Sequence, residues 1–295
     1  MKVLVAGGTG TVGSRVVETL RRRGIPVRCL THSREKAGTL PAGVEPAIGD
    51  LERPDTLSEA FRGPDALFLL VGLARNETEQ GLAAVEAAKR SGIRKIVYMS
   101  VVLPPDSLHI PHFASKVPIE QAVESSGLEW TILRPNNFFQ NDEWSRAAIL
   151  DHGVYPQPIG SVGVNRVDVR DIAAAAANAL TQAGHAGKKY PLSGPDSLTG
   201  EDVARAYSLR LGRPVRYVGD HLDAWAQQSA GFLPDWLLAD LRVMYEYFQK
   251  RGLGASPEDL ALGEKAVGHP LRSFDAYVAE CAAAWKRAKA AGQFQ

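Results

Sequence analysis

Cysteine is nearly absent from the sequence: among 295 residues only Cys29 and Cys281 occur, far apart and without the spacing of a metal-binding motif. That excludes a disulfide-stapled scaffold and points to reduced thiols and a cytoplasmic setting. An excess of one charge is missing too, since 34 Lys and Arg stand against 33 Asp and Glu for a net charge of +1. So even a balance gives no electrostatic basis for binding nucleic acid or an anionic membrane surface. No apolar run approaches the ~20 residues of a membrane-spanning helix. The amino terminus enters a strand without a charged leader and apolar signal region, so neither secretion nor membrane insertion is expected. His109 and His112 lie close, but Ile110 and Pro111 break a helical ligand pair, and no metal site is expected. A Gly-x-Ser-x-Gly elbow is lacking, which argues against a hydrolase. Internal repeats are lacking as well. The Arg21-Arg22-Arg23 run, just before Gly24, reads as solvated cations at a helix end rather than as a binding patch.

What the chain does have is a glycine cluster at its start. Val3, Leu4 and Val5 read as a buried strand, and Val12, Val16, Val17 and Leu20 fall on one face of a helix. Between them lie two overlapping spacings, Gly8-x-Gly10-x-x-Gly13 and Gly7-x-x-Gly10-x-x-Gly13, which leave the subtype of dinucleotide site open. Strand, glycine turn and helix, in that order, form a cradle for a pyrophosphate. Side chains would block the backbone there, while free N–H groups and the positive helix end attract the anion.

Further strands are predicted at 27–30, 44–48, 66–71, 95–99 and 130–133, with helical stretches between most of them. The helix from Asn76 to Ser91 takes its periodicity from Leu82, Val85 and Ala88. Alternation of this kind predicts an α/β fold, a Rossmann-type doubly wound parallel sheet, with a smaller, mostly helical carboxyl-terminal lobe. The boundaries expected are 1–155 for the dinucleotide-binding domain, with a helix at 168–182 packing back on it, and 156–295 for a substrate-side lobe. That lobe is read as holding a short strand at Lys188 to Leu192 and a helix from Glu201 to Leu211. Ligands of open parallel sheets sit at the carboxyl ends of the strands, which draws Ser33 to Lys36, Asp50, Gly72, Ser100 and Pro135 to Asn137 towards one crevice.

The loop after the second strand reads Thr31-His32-Ser33-Arg34-Glu35-Lys36. It has no acid at the strand end to take the ribose hydroxyls, and Arg34 and Lys36 suit a 2′-phosphate, which predicts NADP(H) in preference to NAD(H). Asp50 and Leu51, after the third strand, are placed to meet the adenine, although an aspartate there is also an ordinary helix cap.

Several segments together resemble the NmrA-like family, an atypical branch of the short-chain dehydrogenase/reductase superfamily. They are Gly7 to Gly13, Gly49-Asp50-Leu51, Ile96 to Ser100, Pro111 to Lys116, Thr131 to Pro135, Val167 to Ala173 and Leu192 to Pro195. The resemblance covers most of the chain and implies NAD(P) held between the two lobes. The glycine turn and the strand ends make Gly7, Thr9, Gly10, Thr11, Val12, Gly13, His32, Ser33, Val71, Gly72, Pro135 and Asn137 candidate nucleotide contacts, with Asn136 and Asn137 expected towards the nicotinamide end. Members include reductases of quinones, azo dyes and triphenylmethane dyes, and also redox sensors that bind the nucleotide without turnover and signal to a protein partner. Two functions therefore follow as alternatives: an NAD(P)H-dependent reductase of a small, planar, conjugated acceptor, without flavin or metal, or a non-catalytic NADP(H) sensor.

Typical members of the superfamily use Tyr-x-x-x-Lys, where this chain has His112-x-x-x-Lys116. Lys116 is expected at the nicotinamide ribose, His112 in the place of the acid, and Ser100 at the substrate or the carboxamide. Phe138, Phe139, Trp144 and Tyr155 are candidates for the wall of a pocket for a flat aromatic substrate, with Trp225, Phe232 and Trp236 closing it. Tyr245, Tyr247 and Phe248, on a late helix, suit either the core or the interface of a homo-oligomer.

Overall fold

The structure, a computed structural model, describes residues 1–290. In chain order the first elements are β1 (Val3–Val5), α1 (Thr11–Arg22), β2 (Val27–Thr31), α2 (Arg34–Ala37), β3 (Glu45–Ile48), α3 (Leu57–Ala60), β4 (Ala66–Leu69), α4 (Glu77–Arg90), β5 (Lys95–Met99), α5 (Pro111–Ala114), α6 (Lys116–Glu124) and β6 (Glu129–Pro135). There follow β7 (Val154–Tyr155), α7 (Val169–Thr181), β8 (Lys188–Leu192), α8 (Gly200–Leu211), β9 (Arg216–Tyr217), α9 (Leu222–Ser229), α10 (Asp235–Arg251), α11 (Pro257–Val267) and α12 (Phe274–Ala290).

Packing divides the chain into two compact units. The first comprises Met1–Pro135, Val169–Leu192 and Ala261–Pro270, so the chain leaves it at Pro135, where the sequence suggested residue 155. Its sheet has seven parallel strands in the order β3-β2-β1-β4-β5-β6-β8. β1 and β4 are buried along their whole length, the continuous apolar run required of a strand covered on both faces. α7 packs beside α1 in this unit. Asn178 of α7 donates from Nδ2 to the carbonyls of Ala266 and Val267, 2.9 Å each, and so ties down the last turn of α11.

The Lys188–Leu192 strand corrects the sequence reading. It belongs to the main sheet, where it pairs with β6 from Thr131↔Lys188 to Pro135↔Leu192. The crossover through α7 returns the chain parallel to β6, the usual outcome for a strand, helix, strand connection.

The buried stripe of α4 also differs from the expected one. Leu82 is exposed at 39%, and the face turned inward carries Glu77, Gln80, Gly81, Ala84, Val85 and Ala88. Small residues win this face because α6 lies close against it: a Cβ on Gly81 would stand 2.6 Å from Cγ1 of Ile119 and 2.9 Å from its Cγ2. Tyr98, Ile119 and Val123 join Ala84, Val85 and Ala88 in one hydrophobic cluster.

The second unit comprises Asn136–Asp168, Ser193–Leu260 and, among the described residues, 271–290. It holds the two-stranded sheet of β7 and β9 and the helices α8, α9, α10 and α12. Its core is aromatic: Phe139 lies 5.1 Å from Phe274 and 5.4 Å from Tyr277, and Tyr207 stacks on Trp285 at 5.5 Å. Tyr245, Tyr247 and Phe248 of α10 are buried here, which favours the core over an interface for them.

Gly13 and Gly81 supply a stability test of these close approaches. Ala at Gly81 gains about 1 kcal/mol of helix propensity but loses about 1–3 kcal/mol to overpacking against Ile119, so Gly81→Ala should be mildly destabilising. At Gly13 the added Cβ would meet the backbone of Gly7 and Gly8, which has no rotamer to yield. Denaturant unfolding should therefore rank Gly13→Ala below Gly81→Ala, and both below the parent chain.

Candidate active site

The glycine loop joins β1 to α1 in the first unit. Gly7 holds φ +76°, which a side chain rarely adopts, and Gly13 leaves room for the Gly7 carbonyl. The Gly10 N–H closes the turn onto the Gly7 carbonyl at 3.0 Å. Gly10 is also the N-cap of α1; no side chain caps this end, and the first turn holds no acid. Thr9, Gly10 and Thr11 are exposed while Val12 and Gly13 are buried, so the amide-rich, positive end of a twelve-residue helix faces outward. That is a fit for an anion held by backbone N–H groups.

Beyond β2, the Thr31 hydroxyl donates to the Ser33 carbonyl at 3.3 Å, and Ser33 Oγ accepts from the Lys36 amide at 3.2 Å to cap α2. His32, Arg34 and Lys36 are exposed, and among the described residues neither Arg34 nor Lys36 is paired with a carboxylate. Asp50 works as a turn former: its Oδ1 accepts from the Glu52 amide at 3.0 Å, and its own amide donates to Thr56 Oγ1 at 2.9 Å. Leu51 packs on the hydrophobic cluster and Val71 is part of it, whereas Gly72 is exposed with open space around it.

Ser100 follows β5 and is 2% exposed, its amide donating to the Leu133 carbonyl at 2.8 Å. Its hydroxyl has no hydrogen-bond partner among the described residues. Leaving such a group buried and unsatisfied costs about 1–3 kcal/mol, and a ligand polar atom would remove the cost. Ser115 lies between α5 and α6 with φ −60° and ψ −24°, so the backbone runs on helically and brings His112 and Lys116 to one side. His112 is half-buried, its ring edge-on to Phe113 at 4.8 Å. Lys116 is buried, and its Nζ forms an ion pair with Oε1 of Glu77.

Glu77 was not among the residues picked out from sequence. A glutamate in the first turn of a helix is an ordinary complement to the helix dipole, and its partner lies 39 residues further on. No local signal separates the two cases.

In the second unit Asn136 is buried, donating from Nδ2 to the Leu253 carbonyl at 2.9 Å and to Ser193 Oγ at 3.3 Å. Asn137 Oδ1 accepts from Arg166 Nε at 3.0 Å. Arg166 is fully buried, another residue sequence reading passed over. It donates to the Phe138 carbonyl at 2.6 Å and to both oxygens of Asp142 at 2.8 and 3.2 Å, and Asp142 also accepts from Tyr155 and Tyr207 at 3.0 Å each. The four aromatic side chains expected to wall a pocket do not share one surface. Phe139 and Tyr155 are core, Phe138 is half-buried, and Trp144 is 72% exposed. Burial pushes the Tyr155 phenol well above its ordinary range, with Arg166 only opposing the shift, so this tyrosine is a neutral donor to Asp142 and not a substitute for the missing acid. Phe232 is exposed at 87%, and Trp225 packs edge-on to Tyr245 at 5.0 Å.

The chain is 36% identical over 292 residues to the NAD(P)H azoreductase of Xenophilus azovorans, covering 96% of this chain and 99% of that one. The NADPH complex of the Escherichia coli NADPH-dependent quinone oxidoreductase has the same fold, with a TM-score of 0.82 and 26% identity over 95% of this chain and 99% of that one. Citrobacter sp. triphenylmethane reductase, solved with NADP(H), superposes with a TM-score of 0.83 and 25% identity over 95% of this chain and 99% of its own. Residues 1–271 match the sequence model of the NmrA-like family, and with the seven-stranded parallel sheet in place the chain belongs to that family.

Proposed function

We propose that this protein is an NAD(P)H-dependent reductase that prefers NADPH and passes hydride directly to a small, planar, conjugated acceptor of the quinone, azo or triphenylmethane-dye type. The observation that carries this reading is the presence, in one unit, of an uncapped glycine-loop helix, a buried Ser100 hydroxyl without a partner among the described residues and a buried Lys116 ammonium. The residues fit a nicotinamide nucleotide: the Gly7 to Gly13 backbone would hold the pyrophosphate, Arg34 and Lys36 a 2′-phosphate, and Lys116 the nicotinamide ribose. The names of the relatives agree in reaction type and differ in acceptor, which supports the coarser claim of reductase more strongly than any one substrate.

When bound, the nicotinamide supplies the hydride. The chain's own contribution is mainly position: Lys116 presents a fixed positive charge at the head of α6, and Ser100 offers a hydroxyl that can donate to the acceptor or to the carboxamide. His112 stands at the position that typical members of the wider short-chain dehydrogenase/reductase superfamily give to tyrosine, and its imidazole can deliver a proton. A simple ketone receiving hydride becomes a localised alkoxide that needs a proton at once, whereas a conjugated acceptor spreads its charge. Good alignment is worth ~7 kcal/mol or more, against roughly 3–5 kcal/mol for a matched acid, so loss of the tyrosine is survivable for the conjugated acceptor.

With purified protein, NADPH absorbance should fall in the presence of quinones, azo dyes or triphenylmethane dyes and stay level with simple ketones. Binding of NADPH without turnover of any acceptor would overturn the reductase reading in favour of a nucleotide sensor. Replacing both Arg34 and Lys36 with alanine should lower the preference for NADPH over NADH about tenfold, corresponding to ~1.4 kcal/mol for contacts at exposed side chains. An unchanged ratio of the two dissociation constants would remove these cations from the site.

A further inference from the structure

The Glu77 carboxylate carries the strongest unassigned role in the molecule. Glu77 is 1% exposed and Lys116 is 6% exposed, so both charges have been taken out of water. Burying an ion pair costs several kcal/mol per charge, and a well-packed apolar pair at such a place is often as stable or more so. Stability alone is therefore a poor reason for this pair.

Its surroundings are built around the carboxylate. Oε1 meets the Lys116 ammonium, and Oε2 accepts from the Ser115 hydroxyl at 3.0 Å, so each oxygen has its own donor. Ser115 Oγ is also 3.0 Å from the His112 carbonyl, and its own carbonyl accepts from Thr78 Oγ1 at 2.9 Å. Two neighbouring residues at the start of α4 thereby hold the junction of α5 and α6, the point from which His112 and Lys116 project. Gly81, one turn further along α4, lets Ile119 approach and keeps the helices close enough for the pair to form. α4 itself begins just after the Val71–Gly72 loop at the end of β4.

We propose that Glu77 is the positioning residue for Lys116, presetting the ammonium for the nicotinamide ribose of the nucleotide, with Ser115 fixing the carboxylate. The proposal rests on the reading of Lys116 as a nucleotide contact. An ammonium has three N–H donors, so an ion pair on one side does not exhaust its capacity to bind a ribose. Without the carboxylate the buried ammonium loses its counter-charge and its fixed direction, and nucleotide binding must then supply both.

The test is the affinity for NADPH, read by fluorescence titration on the full chain alongside thermal unfolding, for E77Q, K116A and the double variant. E77Q should weaken NADPH binding about tenfold, the loss expected of one charge-assisted contact. K116A should weaken it at least as much, and E77Q added to K116A should cost nothing more. If K116A weakens binding but E77Q does not, or if the two losses multiply, Glu77 does not act through Lys116 and the inference fails while the reading of Lys116 stands. If K116A leaves binding unchanged, that reading fails and takes the inference with it. A lower unfolding temperature with unchanged affinity in E77Q would mark a structural ion pair only, and would also overturn it. Should E77Q not fold, S115A carries the test: a loss of affinity of about two- to threefold supports the proposal and none contradicts it.

Discussion

The buried contact between Glu77 and Lys116 sets the terms for much of the first unit. A lysine ammonium can be kept out of water only beside a counter-charge, and the counter-charge can reach it only if α4 and α6 are close. That closeness is available because Gly81 faces Ile119 without a side chain of its own. The same inward face of α4 carries Glu77, Gln80, Gly81, Ala84, Val85 and Ala88, while Leu82 points to solvent. Packing, electrostatics and the placement of α6 are one arrangement.

The glycine loop is defined by what is missing. No side chain caps α1, no acid occupies its first turn, and no Cβ stands between the Gly7 carbonyl and Gly13. The first unit thus holds a positive, amide-rich helix end, a buried ammonium and a buried hydroxyl without a partner among the described residues. Chemistry at such a site depends on holding two reactants in line more than on a strong acid. That suits acceptors whose own conjugation absorbs the incoming charge.

Much of this was legible in the sequence because it is written locally. Val3 to Gly13 carries strand, turn and helix within a few residues, and Lys95 to Met99 is read correctly from its apolar run alone. His112 and Lys116 are picked out by the resemblance to the superfamily's Tyr-x-x-x-Lys pattern, which is also local in sequence. What escaped is non-local. Glu77 looks like any first-turn glutamate until α6 is packed against it, and Arg166 gives no sign that Asp142, 24 residues earlier, will be buried with it. Lys188 to Leu192 is a strand by pattern, but its place beside β6 depends on the path of α7. Phe139 and Tyr155 illustrate the opposite error. Their position after β6 suggested a ligand wall, yet large aromatic side chains bury the most area, and the second unit spends these two on its core.

The central claim is direct hydride transfer from the nicotinamide to a conjugated acceptor. It is tested most directly with NADPH carrying deuterium at both C4 positions and a triphenylmethane dye, whose reduced form keeps the added hydrogen on carbon. In ordinary water the colourless product should carry one deuterium at its central carbon. A product without deuterium, or one labelled only when the solvent is heavy water, would contradict the account.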